Sequence, residues 1–449
     1  MDHVVKIKKG LDIQLEGIPS PKISNTPDSQ LYAIIPDDFV GLTPKVIVKP
    51  GEKVLTGSPV IHDKTHPNIV VPSPVSGEIV TIERGERRKV IKITIKPDAS
   101  QQALEFGRFD LENMDSSEIK DLLLKSGIFA FIKQRPYDIV ANPDTAPRDI
   151  FVTAFDSAPL APDYAFILKE EKQHFETGLK ALNKLTSGKV YVGISQRQPI
   201  DVKNATSVIF DGPHPAGNVG IQINHIAPIN KGDTVWTMSA LDVLFIGRLF
   251  DKGIADFSRI VAVTGSEIDD PHYVRTRIGA SIASITQGMV KAVEYEQRYI
   301  SGNVLTGVKT NADGYIGATH SQITVIPEGN NYDEFLGWAS LNPHKYSTSH
   351  SYFSWLLGKK KKYTIDARKR GGERAIIMSD EYDRVFPMDI YPEYLIKAIL
   401  AFDIDKMENL GIYEVAPEDF ALCEFVDTSK LELQKIVRDG LDRLMKEMN

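Results

Sequence analysis

Few residues in this chain carry chemistry, and their spacing excludes more than it suggests. The loop Gly212-Pro213-His214-Pro215-Ala216-Gly217-Asn218-Val219-Gly220 follows a strand-like run and has glycine at both ends of a proline-stiffened turn. Backbone N–H groups in such a loop can face a ligand, and a histidine at its centre can line a pocket. The same residues also make an ordinary structural turn, and the sequence leaves both readings open. His62, His66, His214, His225, His272, His320, His344 and His350 have no H-E-x-x-H spacing, so zinc catalysis is not expected. Asp269-Asp270 precede Pro271 and read as turn residues. No G-x-G-x-x-G, no P-loop, no G-x-S-x-G elbow and no kinase signature occurs. Ser195 and Ser239 therefore lack the setting of a nucleophile. Cys423 is the one cysteine, which excludes a disulfide framework and any cluster needing four thiolates.

A second constellation is physical rather than catalytic. Trp338, Tyr346, Tyr352, Phe353 and Trp355 crowd a short span that ends in Gly358 and Lys359-Lys360-Lys361-Lys362. Aromatic rings beside lysines suit a membrane surface or a membrane-embedded partner. Trp355 and Lys359, Lys360, Lys361 and Lys362 are the expected contacts; the competing reading is a packed loop with a solvated charge run.

The elements that hold these residues change along the chain. Residues 45–61 and 71–80 look like the two hairpins of a biotinyl/lipoyl-type domain, with turns at Pro50-Gly51 and Ser76-Gly77. The segment between them contains Lys64 but not the lysine-tipped turn of a carrier, so a docking β-sandwich without covalent cofactor is expected. Residues 78–83 and 90–96 read as a hairpin, with Ile91, Ile93 and Ile95 on one face. From Ser116 onward strands and helices alternate. Helices are predicted over 116–125, 163–185 and 239–249, and strands over 149–154, 189–194 and 207–210. That alternation implies a parallel sheet covered by helices. A strand at 259–265 and a helix near 281–294 open a mixed α+β unit. Helices over 393–402 and 431–448 end the chain, the last with a Ser429/Glu432 capping box and Leu433, Val437, Leu441, Leu444 and Met448 on one face. Length allows about three domains. A net charge of −7 argues against a nucleic-acid binder. No signal peptide and no membrane span are expected.

The order of motifs resembles the NqrA family of the bacterial Na+-translocating NADH:quinone oxidoreductases, over nearly the whole chain. It is also similar, more distantly, to the Rnf C subunit and the flavin-carrying subunit of respiratory complex I. The resemblance rests on the lipoyl-like halves and on DGPHPAGNVGIQINHIAPI (211–229), VAVTGSEIDDP (261–271) and RYISGNVLTG (298–307). GGERAIIMSDEYDRVFPMDIYP (371–392) and APEDFALCEFVDTSKLELQKIVRDGL (416–441) complete it. It implies an α/β multidomain fold. A lipoyl-like β-sandwich would fill 1–105, a Rossmann-like domain 106–255 and an SLBB-type β-grasp domain 256–330. A helical C-terminal domain on a ferredoxin-like scaffold without clusters would fill 331–449. It implies a peripheral subunit on the cytoplasmic face of the inner membrane, with integral membrane subunits as partners. Where the distant relatives carry a GGxGFP flavin loop, this chain places Phe129 and Phe131, so it is expected to bind no flavin and no iron–sulfur cluster. Those cofactors are expected on other subunits. Quinone is the expected ligand, at Phe129, Phe131, Arg135, Phe155 and His214. Two alternatives stay open: a scaffold with no ligand, and a stand-alone flavin/NADH electron-transfer protein.

Overall fold

The computed structural model describes residues 4–26, 28–330, 345–348, 352–358 and 361–448. Trp338, His344, His350, Lys359 and Lys360 fall outside them.

The two half-motifs form a small two-sheet β unit. Pro44–Val46, Pro59–Asp63 and Val70–Pro72 make one sheet; Tyr32–Ile34, Val90–Pro97, Gly77–Arg84 and Lys53–Val54 make the other. Val60, Ile61, Ile79, Ile93 and Ile95 fill their common core. The hairpin has its expected limits, but Ile91 does not face inward. A register shift between Glu83 and Arg84 reverses the side-chain parity, so Val90 is buried and Ile91 is 39% exposed.

Residues 4–25 do not stay with this unit. Val4–Lys6 pairs parallel with Thr206–Asp211, and Ser20–Asn25 pairs parallel with His272–Arg277. The N-terminal segment thereby ties two distant sheets together.

The α/β unit is built on a seven-stranded sheet in the order Val4–Lys6, Thr206–Asp211, Val190–Ser195, Ile150–Thr153, Val235–Ser239, Lys133–Arg135, Ile139–Val140. The first five strands are parallel; the last two are antiparallel. From Ile150–Thr153 the chain winds outward through two strands, then returns to the opposite side at Val235–Ser239. Ligand crevices in open parallel sheets form where strand order reverses in this way, at the carboxyl ends.

Helix Ser116–Ser126 begins with a complete Asp115/Glu118 capping box. It ends at Gly127, where φ is 74° and a Cβ would lie 2.6 Å from Pro72 Cδ, so no other residue fits. The helix predicted over 163–185 is two helices, Tyr164–Glu170 and Lys172–Asn183. Asp163 caps the first, as expected. The break turns Glu171 towards the buried Arg248, 3.0 Å away. An ion pair with a residue so far along the chain leaves no local signal.

The mixed unit is a six-stranded sheet containing Ser258–Thr264 and His272–Arg277. Its predicted helix shrinks to Ile282–Ile285, because the chain turns at Gly288 with φ 72°. Towards the C-terminus, helices Pro392–Ala401, Ala421–Val426 and Leu433–Met448 share a second core with Val5, Ile7, Phe155 and Phe210. In the last helix Leu433, Val437, Leu441 and Leu444 are buried, but Met448 runs past the core and is 44% exposed. The Ser429/Glu432 box is absent. Ser429 Oγ donates to Ala375 O instead, while Glu424 accepts from the N–H of Gln434. No helix among the described residues is long and apolar enough to cross a membrane.

Candidate functional site

A cavity of about 320 Å3 opens at the carboxyl ends of three parallel strands. Segment 155–161 follows Ile150–Thr153, residues 195–198 follow Val190–Ser195, and residues 210–212 end Thr206–Asp211. The fourth wall is 12–18, the segment between the two N-terminal strands. One side is apolar: Ile13, Leu15, Leu160 and the rings of Phe155 and Phe210, whose centroids are 6.4 Å apart. The other carries Asp12, Asp156, Ser157 and Arg197. Arg197 lies 3.7 Å from Asp12. Asp12 also accepts the backbone N–H of His214 at 2.9 Å. Burial pushes the Asp156 carboxyl above its usual range, against the N–H of Ala158 that it accepts.

His214 stands immediately behind Ser157. It is 3% exposed, and burial lowers its pKa to about 4, so the ring is neutral at pH 7. Ser157 Oγ accepts the N–H of Gly217 at 2.8 Å and lies 3.0 Å from His214 Nδ1, with which it shares one hydrogen bond. His214 Nε2 is buried and has no hydrogen-bond partner among the described residues. A buried, unpaired ring nitrogen costs about 1–3 kcal/mol, so it marks a place where a partner is missing.

The glycines of this loop serve close packing. A Cβ on Gly217 would lie 2.6 Å from Ser157 N, and one on Gly212 would lie 2.4 Å from Ile7 O. The loop is thus a structural turn that also places a histidine behind Ser157.

The structure does not bring the five expected quinone contacts together. Phe155 lines the cavity and His214 adjoins it. Phe129 is fully buried and packs edge-on against Trp236 at 5.5 Å. Phe131 sits among Phe39, Phe245 and Phe257, at 5.5, 5.2 and 6.1 Å. The gap beside it is about 10 Å3, room for a water at most. Bulky rings here fill the space that glycines would leave open. Arg135 is also fully buried. Its Nη1 donates to Asp419 at 2.9 Å and Glu414 O at 3.0 Å, and its Nη2 donates to Glu418 at 2.9 Å. It joins the α/β sheet to the C-terminal helices. Sequence reasoning passed over Asp12, Asp156, Ser157 and Arg197. The signal for two of them was available: Asp156-Ser157 directly follow the buried strand DIFVTA.

Trp355 is 51% exposed in the short turn Phe353–Leu357. Lys361 lies over the Tyr363 ring at 5.2 Å, and Lys362 is exposed. Cys423 is buried, and burial raises its thiol pKa. Among the described residues no group of three or more His, Cys, Asp or Glu side chains is placed to hold a metal ion.

Fold and cleft together define an α/β multidomain protein. It has a two-sheet β unit, a parallel-sheet unit with a cavity at the carboxyl ends of three of its strands, and a mixed β unit. Protein-family models match each in turn: the NqrA N-terminal barrel-sandwich hybrid domain over 5–98, the NqrA second alpha/beta domain over 114–255, and the NQRA C-terminal domain, an SLBB model, over 260–312. The NqrA protein of the Na(+)-translocating NADH-quinone reductase of Serratia proteamaculans is 37% identical, covering 99% of this chain and 100% of its own length. Its counterpart in Neisseria meningitidis serogroup B is 36% identical over the same shares. The chain belongs to the NqrA family, whose members are subunits of the Na+-translocating NADH-quinone reductases. A chain of an NAD+-reducing [NiFe]-hydrogenase overlaps 94% of this chain and 83% of its own at 8% identity. Its TM-score of 0.38 is too low to bear on fold or function.

Proposed function

We propose that the chain is a peripheral, cytoplasmic-face subunit of a Na+-pumping NADH:quinone reductase, and that its cleft receives a quinone headgroup. The cavity, with the unpartnered Nε2 of His214 behind its Ser157 wall, carries this reading. A quinone ring needs an apolar wall and a donor for a carbonyl oxygen. Phe155 and Phe210 supply the wall, and the hydrogen-bonded pair Ser157–His214 supplies one donor. Reduction to quinol also consumes protons, and the Asp156 carboxyl, its pKa raised by burial, lines the same cavity.

Docking to integral membrane subunits, which would carry the flavins and the iron–sulfur centre, is the rest of the role. Flavin does not fit this chain: Phe129 and Phe131 occupy the place of the flavin loop, and Cys423 supplies one thiolate of the four a cluster needs. We read the α/β unit as Rossmann-like on its strand order, and the C-terminal helices as a ferredoxin-type scaffold without clusters. The boundaries at 105, 255 and 330 serve as working limits.

A pure scaffold is the second reading, favoured by the packed Phe129, Phe131 and Arg135. The test is the quinone dependence of the assembled complex. Phe155→Ala and His214→Gln should raise the apparent KM for quinone while NADH oxidation by an artificial acceptor is unchanged. An unchanged KM in an intact complex leaves the scaffold. A flavin absorption spectrum from the chain alone would revive the stand-alone electron-transfer protein.

A further inference from the structure

The turn Phe353–Leu357 presents its large side chains outward. Phe353 is 50% exposed, Trp355 51%, Leu356 63% and Leu357 53%. Water does not favour such a cluster, whereas a single exposed apolar side chain is ordinary.

The turn is held, not loose. Tyr352 and Ser354 are buried beneath it. Tyr363 on its far side pairs with the N-terminal segment: its N–H donates to Gln14 O at 2.9 Å and its O accepts from Glu16 N at 3.1 Å. The Tyr363 ring meets Tyr346 at 5.3 Å, and Tyr346 meets Phe425 at 6.1 Å. Burying Tyr352 and Ser354 while exposing the residues between and after them fixes which side faces out.

Charge says what covers it. Lysines follow the apolar turn directly, with Lys361 and Lys362 among the described residues, in a chain whose net charge is −7. Tryptophan, phenylalanine and leucine beside lysine match the depth profile of a lipid interface, with rings and aliphatic chains below and ammonium groups at the anionic headgroups.

We propose that the turn Phe353–Leu357, with Lys361 and Lys362, docks the chain on an anionic lipid surface. The proposal rests on the peripheral-subunit reading and adds a direct lipid contact to it.

Flotation of the purified full chain with phosphatidylcholine vesicles, with and without phosphatidylglycerol, tests it. The chain should float with the anionic vesicles, and added salt should weaken the binding. Leu356→Ser with Leu357→Ser should lower affinity about tenfold or more. Lys362→Glu should reduce the preference for phosphatidylglycerol. These residues are exposed, so far-UV circular dichroism should be unchanged. No flotation, or equal flotation of wild type and variants, overturns the proposal. If the double serine variant floats normally yet no longer co-purifies with the membrane subunits, the face docks protein and the lipid contact is wrong. If the wild type floats but never co-purifies with membrane subunits, the peripheral-subunit reading fails instead.

Discussion

Arg135→Met should loosen the C-terminal helices from the α/β sheet. The guanidinium is fully buried, and Asp419 beside it has no exposed side-chain surface. Methionine preserves most of the volume but removes the contacts to Asp419, Glu418 and Glu414 O. Asp419 would keep only the N–H of Ala416, at 2.9 Å, as a partner for its Oδ2, and its Oδ1 already has none. Removing one partner of a buried pair costs about 3–5 kcal/mol, because the other charge stays buried and uncompensated. Asp419→Asn alone should cost less, since the amide is neutral. The double substitution should recover about 2 kcal/mol or more relative to the sum of the singles. Urea unfolding of the full chain reads the stability, and limited proteolysis reads exposure of 403–419. An effect of Arg135→Met below about 0.5 kcal/mol, with an unchanged cleavage pattern, would refute the joint. A raised quinone KM with stability intact would do more: it would return Arg135 to the role of quinone donor that the sequence suggested.

Three further outcomes are expected. Asp115→Ala removes the capping box of Ser116–Ser126 and should cost about 1 kcal/mol in thermal melts. Gly265→Ala should cost about 2 kcal/mol or more, because φ is 108° and the new Cβ would meet Val325 O at 2.1 Å; if it melts like the wild type, the turn is not held as described. Asp38→Asn tests a pH effect. Burial raises the Asp38 pKa to about 6, against the N–H of Ala318. The unfolded chain therefore loses this proton at lower pH than the folded one, and stability falls as pH rises through about 4 to 6. Asparagine should stabilise by up to about 3 kcal/mol near pH 8 and by little near pH 4, as melts at the two values would show.

What could be read from the sequence was what neighbouring residues decide. Helix Ser116–Ser126 was legible from its local pattern and its stop at Ser126-Gly127, while its Asp115/Glu118 capping box, though equally local, was passed over. The hairpin at Gly77–Arg84 and Val90–Pro97 was legible through its period, although the parity flip at its bulge hid which isoleucine faces out. The break at Glu171 was invisible because the partner it meets there, Arg248, lies far along the chain. The cap supplied by Glu424 was overlooked for a different reason: Ser429 offered a nearer match to the familiar motif. The cleft suffered most. Its walls come from 12–18, 155–161, 195–198 and 210–212, and only the sheet order brings them together. His214 drew notice through its prolines and glycines. Ser157, its hydrogen-bond partner, sits in unremarkable sequence. Arg135 looked like a ligand donor because its partners, Glu418 and Asp419, are nearly 300 residues away, and nothing local marks an arginine as buried and paired.

The most direct test is photolabelling of the intact complex with a photoreactive quinone, followed by peptide mapping. Adducts on 155–161 or 12–18, suppressed by excess quinone and lost in His214→Gln, are the expected result. Specific adducts confined to other subunits, or to 129–135 with none at the cleft, would contradict a quinone site at His214.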